Sequence, residues 1–193
     1  MTRLIQPAGN NPSAESETIL KKLTGFPAVA LPSARVLILG SMPGKRSLDE
    51  AQYYAHPRNA FWKIMEACFG VPSGADYDER CRRLAACDIA LWDVIGCCER
   101  EGSLDSAIRP ASLEPNEFGE FFNRHPAIGH VFFNGAKAED VFKRLVLPAM
   151  GTRFTALEFH RLPSTSPAYA ALSFEEKLKT WRKVCEVLKM NPS

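Results

Sequence analysis

At 193 residues the chain suits one compact domain, and 46% hydrophobic with 24% charged residues places it among ordinary globular proteins rather than disordered or fibrous ones. No apolar run reaches the ~20 residues that span a bilayer, and the polar opening segment lacks the apolar core of a secretory signal, so a cytoplasmic protein is expected. A formal net charge of +2 excludes a uniformly basic coat; any polyanionic partner must be met by locally placed cations.

Residues 1–24 are rich in Asn, Ser, Pro and Glu and read as a flexible arm; residues 25–193 read as a single domain, with order from near Phe26. Arg35-Val-Leu-Ile-Leu39 is a short apolar run ending in glycine, the pattern of a strand buried on both faces. After a loop, Phe61, Ile64, Met65, Cys68 and Phe69 follow helical spacing until Gly70 and Pro72. Further helices are expected over Tyr77–Ala86, Pro115–Asn123 and Ala136–Leu145, and further strands over Ile89–Ile95, His130–Phe133 and Arg153–Phe159. Ser173 with Glu176 forms a capping box before a last helix whose stripe is Phe174, Leu178, Trp181, Cys185 and Leu188.

Strands alternating with helices predict an α/β fold whose parallel sheet is covered on both sides. Ligands in such sheets bind beyond the carboxyl ends of the strands, which points to the loops starting at Gly40, Gly96, Asn134 and Leu162. Six cysteines (Cys68, Cys81, Cys87, Cys97, Cys98, Cys185) form no CxxC pair and read as small hydrophobes in a reducing compartment. No metal or iron–sulfur centre is expected from them.

The first of those loops reads Gly40-Ser-Met-Pro-Gly44 and then Tyr53-Tyr-Ala-His-Pro-Arg-Asn-Ala-Phe-Trp62. Its two glycines permit a sharp turn and close approach to a ligand, but the GxGxxG spacing and the Walker lysine are both missing. Adjacent tyrosines beside a histidine, an arginine and an asparagine suit a pocket for a planar base; the competing reading packs the tyrosines beneath the loop. Lys45, Arg46, Arg58 and Arg161 lie within or beside the loops.

Taken with Leu91-Trp-Asp-Val94, Phe133-Asn-Gly-Ala136 and Leu162-Pro-Ser-Thr-Ser-Pro-Ala168, these motifs make the chain resemble the uracil-DNA glycosylase superfamily, in particular its hypoxanthine-DNA glycosylase branch. The resemblance runs from about Phe26 to Leu188. It implies a three-layer α/β/α fold with a central four-stranded parallel sheet, chemistry without metal or cofactor, and a monomer acting on DNA that contains a damaged base. It further implies that Gly40, Ser41, Met42, Tyr54, Asp93 and Asn134 surround the extruded base. Pro163, Ser164, Thr165 and Ser166 would then grip phosphate, and Tyr169 would enter the duplex as a wedge. Tyr54 stands twelve residues past Met42, where the mismatch-specific branch places a stacking phenylalanine. Met42 replaces the catalytic Asp or Asn of relatives, and Leu162 replaces a His or Asn. The hypoxanthine branch shares both departures, which makes Asn59 the catalytic candidate.

Each assignment has a plainer competitor. Asp93 can accept the N1–H of hypoxanthine, which adenine lacks, or it can cap or pair at a strand end. Asn59 offers a donor and an acceptor, one for the base or one for a water. Ser164–Ser166 can hold phosphate or merely turn the chain; Tyr169 can intercalate or pack; His56 can titrate or brace its loop. Asp105 and Arg109 are expected to pair on a surface turn. The expected activity is monofunctional hydrolysis that leaves an abasic site. The rivals are excision of uracil, xanthine or another lesion, a non-catalytic lesion-binding module, and a small-molecule hydrolase.

Overall fold

The computed structural model describes residues 22–102, 104–151 and 155–190. Most of the segment read as an arm lies outside these residues, and its last three form β1 (Lys22–Thr24). The hydrophobic run gives β2 (Val36–Gly40), buried at every position, so both of its faces are covered. Two short helices follow in what reads as loop and amphipathic segment: α1 (Lys45–Glu50) and α2 (Phe61–Phe69). Phe61, Trp62, Ile64 and Met65 form the buried face of α2. Gly70 closes that helix in the left-handed region (φ 67°), donating its N–H to Glu66 O at 2.9 Å.

The chain continues through α3 (Tyr77–Ala85), β3 (Ile89–Asp93), β4 (Ile95–Glu99), β5 (Glu114–Pro115) and α4 (Phe118–Arg124). Then come β6 (His130–Asn134), α5 (Ala136–Val141), α6 (Leu147–Met150), β7 (Glu158–Leu162) and α7 (Phe174–Met190). The main sheet is parallel throughout in the order β3-β2-β6-β7, flanked by helices as expected. Its core includes Leu37, Ile38, Phe132, Phe133, Phe142 and Trp181, none of them exposed.

Four boundaries differ from the sequence reading. The third strand does not run through Ile95: after Asp93 the chain leaves the sheet, and Ile95–Glu99 pairs antiparallel with β1 and β5 in a separate three-stranded sheet. The expected helix at Pro115 begins only at Phe118, because residues 114–115 belong to that small sheet. The helix from Ala136 gives way to a π-helical turn over Phe142–Val146 before α6. The last strand is Glu158–Leu162: of the expected Arg153–Phe159, Arg153 and Phe154 lie outside the described residues, Thr155 and Ala156 form a turn, and Glu158 and Phe159 are strand. Register with β6, from His130↔Glu158 to Asn134↔Leu162, fixes it there. As an edge strand it carries polar residues that an apolar-run criterion passes over.

The capping box before α7 forms as read: Ser173 N–H donates to Glu176 Oε2 at 2.7 Å, and Glu176 N–H to Ser173 Oγ at 3.2 Å.

Candidate active site

Gly40 pairs with Asp93 in the register of the sheet, and Asn134 pairs with Leu162, so the loops that leave these strands emerge side by side. Above them lies a cavity of about 640 Å³, within the usual range for a small-molecule site. Asn59, Gly40, Ser41, Met42, Tyr54, Asp93, Asn134, Ser164, Thr165, Ser166 and Tyr169 all line it. Pro163 does not; its carbonyl instead accepts a hydrogen bond from Trp181 Nε1 at 3.0 Å, which anchors the second loop to α7.

At the floor, a Cβ on Gly40 would overlap Asp93 Oδ1 and come within 3.0 Å of Tyr54 Oη, so glycine is required by the oxygens converging there. Asp93 is buried, and its backbone carbonyl accepts from Asn116 Nδ2 at 2.9 Å. The chain passes from Asp93 directly into β4, so no helix begins at it. Tyr54 adopts a left-handed backbone (φ 55°), a strain of about 1–3 kcal/mol that surrounding contacts must offset. Its ring stacks on Phe61 with centroids 4.1 Å apart and planes 24° from parallel, and Phe61 meets Trp181 edge-on at 5.9 Å. Tyr53 is buried beside it, and its hydroxyl lies 3.3 Å from the carbonyls of Phe26 and Pro27. Burial, reinforced by the negative charge of Asp93, pushes the Tyr53 phenol far above its usual pKa.

Asn59 Oδ1 accepts the N–H of Phe61 at 3.0 Å, which satisfies one open donor at the start of α2. That bond fixes the amide orientation: the oxygen is used by the backbone, and the side-chain NH2 is what Asn59 has left to offer. Asn134 and Thr165 bond to each other twice, Thr165 N–H to Asn134 Oδ1 at 2.8 Å and Asn134 Nδ2 to Thr165 Oγ1 at 2.9 Å. Thr165 is 1% exposed, and its carbonyl accepts the N–H of Ala60 at 3.0 Å. Thr165 therefore ties the end of β6, the second loop and the residue after Asn59 into one unit. Ser166 N–H donates to Ser164 Oγ and Ala168 N–H to Ser166 Oγ, both at 3.2 Å.

The rim carries Lys45, Arg46, His56 and Arg58. Lys45 and Arg46 pair with Asp49 and Glu50 four residues on, in exposed bridges worth only about 0.3–0.5 kcal/mol. His56 Nδ1 accepts the N–H of Arg58 at 3.1 Å, which braces the loop and places the ring proton of the neutral form on Nε2. Arg161, grouped with these cations on sequence, is not part of the rim: it pairs with Glu139 on α5. Arg109 pairs with Glu99 at 3.0 Å; the side chain of Asp105, its expected partner, lies outside what the structure describes.

Three contributors escaped the sequence reading. Arg100, buried at the end of β4, donates from Nη2 to Pro43 O at 2.6 Å and from Nε to Gly102 O at 3.1 Å, and so clamps the first turn. Lys177, also buried, donates to Tyr169 O at 2.7 Å; burial lowers its pKa. Leu104 is 57% exposed and shares the cavity mouth with Tyr169, 40% exposed. An exposed leucine among polar neighbours is a signal available from sequence; a buried arginine among surface-type residues is not.

Comparison with known proteins agrees with this geometry. A model of the uracil DNA glycosylase superfamily matches residues 26–189. Two proteins named hypoxanthine DNA glycosylase are similar. One, from Methanosarcina acetivorans, is 34% identical over 83% of this chain and 96% of its own length. The other, from Methanosarcina barkeri, is 36% identical over 67% of this chain and 80% of its own. A solution NMR structure from Methanosarcina acetivorans, provisionally described as a uracil DNA glycosylase, superposes with a TM-score of 0.72 at 33% identity, covering 88% of this chain and 99% of that one. By the extent of the family match and the identity of these relatives, the chain belongs to the uracil DNA glycosylase superfamily.

Proposed function

We propose that the chain is a monofunctional DNA glycosylase, a cytoplasmic monomer, that extrudes hypoxanthine from DNA and hydrolyses its N-glycosidic bond to leave an abasic site. The observation that carries this reading is the meeting of Tyr54, Asp93 and Asn59 in one cavity, roomy enough for a nucleoside, at the carboxyl edge of the sheet. The two similar proteins named hypoxanthine DNA glycosylase support the substrate. The target base must leave the stack to be reached, at a cost of a few kcal/mol that is least for a mispaired base. One face of Tyr54 rests on Phe61; the rest of the ring serves as the platform for the flipped purine.

An ionised Asp93 accepts N1–H of hypoxanthine and confronts the unprotonated N1 of adenine with a second acceptor. Guanine also has N1–H, and is disfavoured by the greater cost of extruding it from a normal pair. During cleavage the electron pair of the C1′–N9 bond leaves with the base while water adds to C1′, and the proton that the water loses ends on the departing purine. Asp93 opposes the negative charge gathering on the base, so its part is recognition. Stabilisation comes from the Asn59 amide, whose NH2 donates to an acceptor on the departing purine. Met42 lines the same cavity with no carboxylate or amide to activate water. Lys45, the lysine in the cavity lining, is exposed at the rim and paired with Asp49, a placement that suits phosphate contact rather than covalent chemistry.

Lys45, Arg46 and Arg58 meet the flanking phosphates with Ser164 and Ser166, and Tyr169 and Leu104 fill the space the base leaves. Asn134 and Thr165 serve as the brace between these groups rather than as contacts. The test is a duplex bearing one deoxyinosine, incubated with the protein and then treated with alkali. Strand cleavage at that position is expected; uracil cleaved in its place would transfer the site to pyrimidine excision.

A further inference from the structure

The proposed excision leaves the opposite end of the sheet without a role. There His130, at the start of β6, pairs in register with Glu158, at the start of β7; His160, two residues on, shares the face of Glu158. His130 Nδ1 lies 3.4 Å from His160 Nε2 and 3.6 Å from Glu158 Oε2; His160 Nε2 lies 3.7 Å from the same oxygen. Ring centroids are 5.7 Å apart while the nitrogens are 3.4 Å apart, so the imidazoles approach by their nitrogens rather than their faces.

These separations lie at or beyond the limit of a hydrogen bond. They match another geometry: metal–ligand bonds of about 2.0–2.2 Å put neighbouring ligands of a tetrahedral site about 3.3–3.6 Å apart. Two of the three ligands are held in place. His160 stacks on Phe132 with centroids 4.6 Å apart, and the imidazole side chains are 19% and 22% exposed. The Glu158 carboxylate, 66% exposed, can adjust to an ion. Burial, with the neighbouring His130 second, holds His160 below its ordinary pKa. The ammonium of Lys183 on α7 opposes a cation here and weakens its binding.

We propose that His130, Glu158 and His160 bind one divalent transition-metal ion of the zinc class, with the fourth position open to solvent. Two imidazoles and a carboxylate favour zinc, cobalt, nickel or copper over magnesium or calcium. Such an ion would cross-link β6 to the edge strand β7, whose other end leads into the loop 163–169 at the cavity.

The experiment is titration of Co2+ into the chelator-stripped full chain, followed by its visible absorption and then by displacement with Zn2+. Expected are one saturable equivalent of tetrahedral Co2+ and a melting temperature raised by roughly 5–10 °C at a hundredfold excess over Kd. His130→Gln and His160→Gln should each weaken binding at least about tenfold. Glu158→Gln should weaken it too, and Cys68→Ser with Cys185→Ser should leave it unchanged. Excision from the deoxyinosine duplex by the same variants serves as the check on folding. Unsaturable binding, or undiminished binding in both folded histidine variants, would overturn the site.

Discussion

Replacing Asn59 by aspartate separates two tasks that the side chain performs at once. The carboxylate keeps the acceptor used by Phe61 N–H, bonded at 3.0 Å in the native protein, and removes the amide donor. Asp and Asn both accept a backbone N–H two residues on, as Asn59 does from Phe61, and a negative charge at the amino end of α2 gains about 0.3–1 kcal/mol from the helix dipole. For a domain of this size the melting temperature should therefore stay within about 2–4 °C of wild type. If the donor stabilises the departing base, single-turnover excision from a deoxyinosine duplex should fall about 10²–10³-fold. Asn59→Ala should lose the same rate factor and, in addition, about 1 kcal/mol of stability with the hydrogen bond to Phe61 N–H. The informative comparison is thus Asn59→Asp, stable but slow, against Asn59→Ala, slow and less stable. A near-native rate for Asn59→Asp would refute the reasoning, because it would show that the acceptor, orienting water, is what the chemistry uses.

Asp93→Asn can present an NH2 to adenine N1, so the hypoxanthine-to-adenine excision ratio should fall about 10–100-fold in competition between the two duplexes. Thr165→Val keeps shape but leaves Asn134 Nδ2 without its 2.9 Å partner, costing about 1–3 kcal/mol in denaturant unfolding and slowing excision as Asn59 loosens. Burial pushes the Glu139 carboxyl up, yet hydrogen bonds from Lys143 and Arg161 hold it below the ordinary 4.5. Its contribution to stability is therefore complete above that value and is lost as pH falls through the lower folded pKa, so Glu139→Gln should flatten the acid limb of a stability–pH curve.

Where a signal is local, the sequence reading holds. The run Val36–Leu39 can only be a strand covered on both sides, and Ser173 with Glu176 announces α7 three residues apart. The loops at Gly40, Asn134 and Leu162 open on one cavity because parallel strands end together. What sequence could not supply is pairing over distance. Asn134 and Thr165 both line the cavity, but nothing local shows that they bond each other across 31 positions. Arg161 looks like a phosphate cation until Glu139, 22 positions away, takes it up. Cys97 and Cys98 give no alternation to mark β4, whose sides are covered unevenly by a three-stranded sheet. Tyr54 was legible as an aromatic, but its positive φ and its seat on Phe61 depend on tertiary packing.

Hypoxanthine is the base that we propose Tyr54 and Asp93 receive. The most direct measurement is the single-turnover rate of base release from otherwise identical duplexes holding deoxyinosine, deoxyuridine or deoxyadenosine at one position. Hypoxanthine should be released, adenine should not, and uracil should lag well behind. An intact deoxyinosine strand beside cleaved deoxyuridine would contradict that assignment.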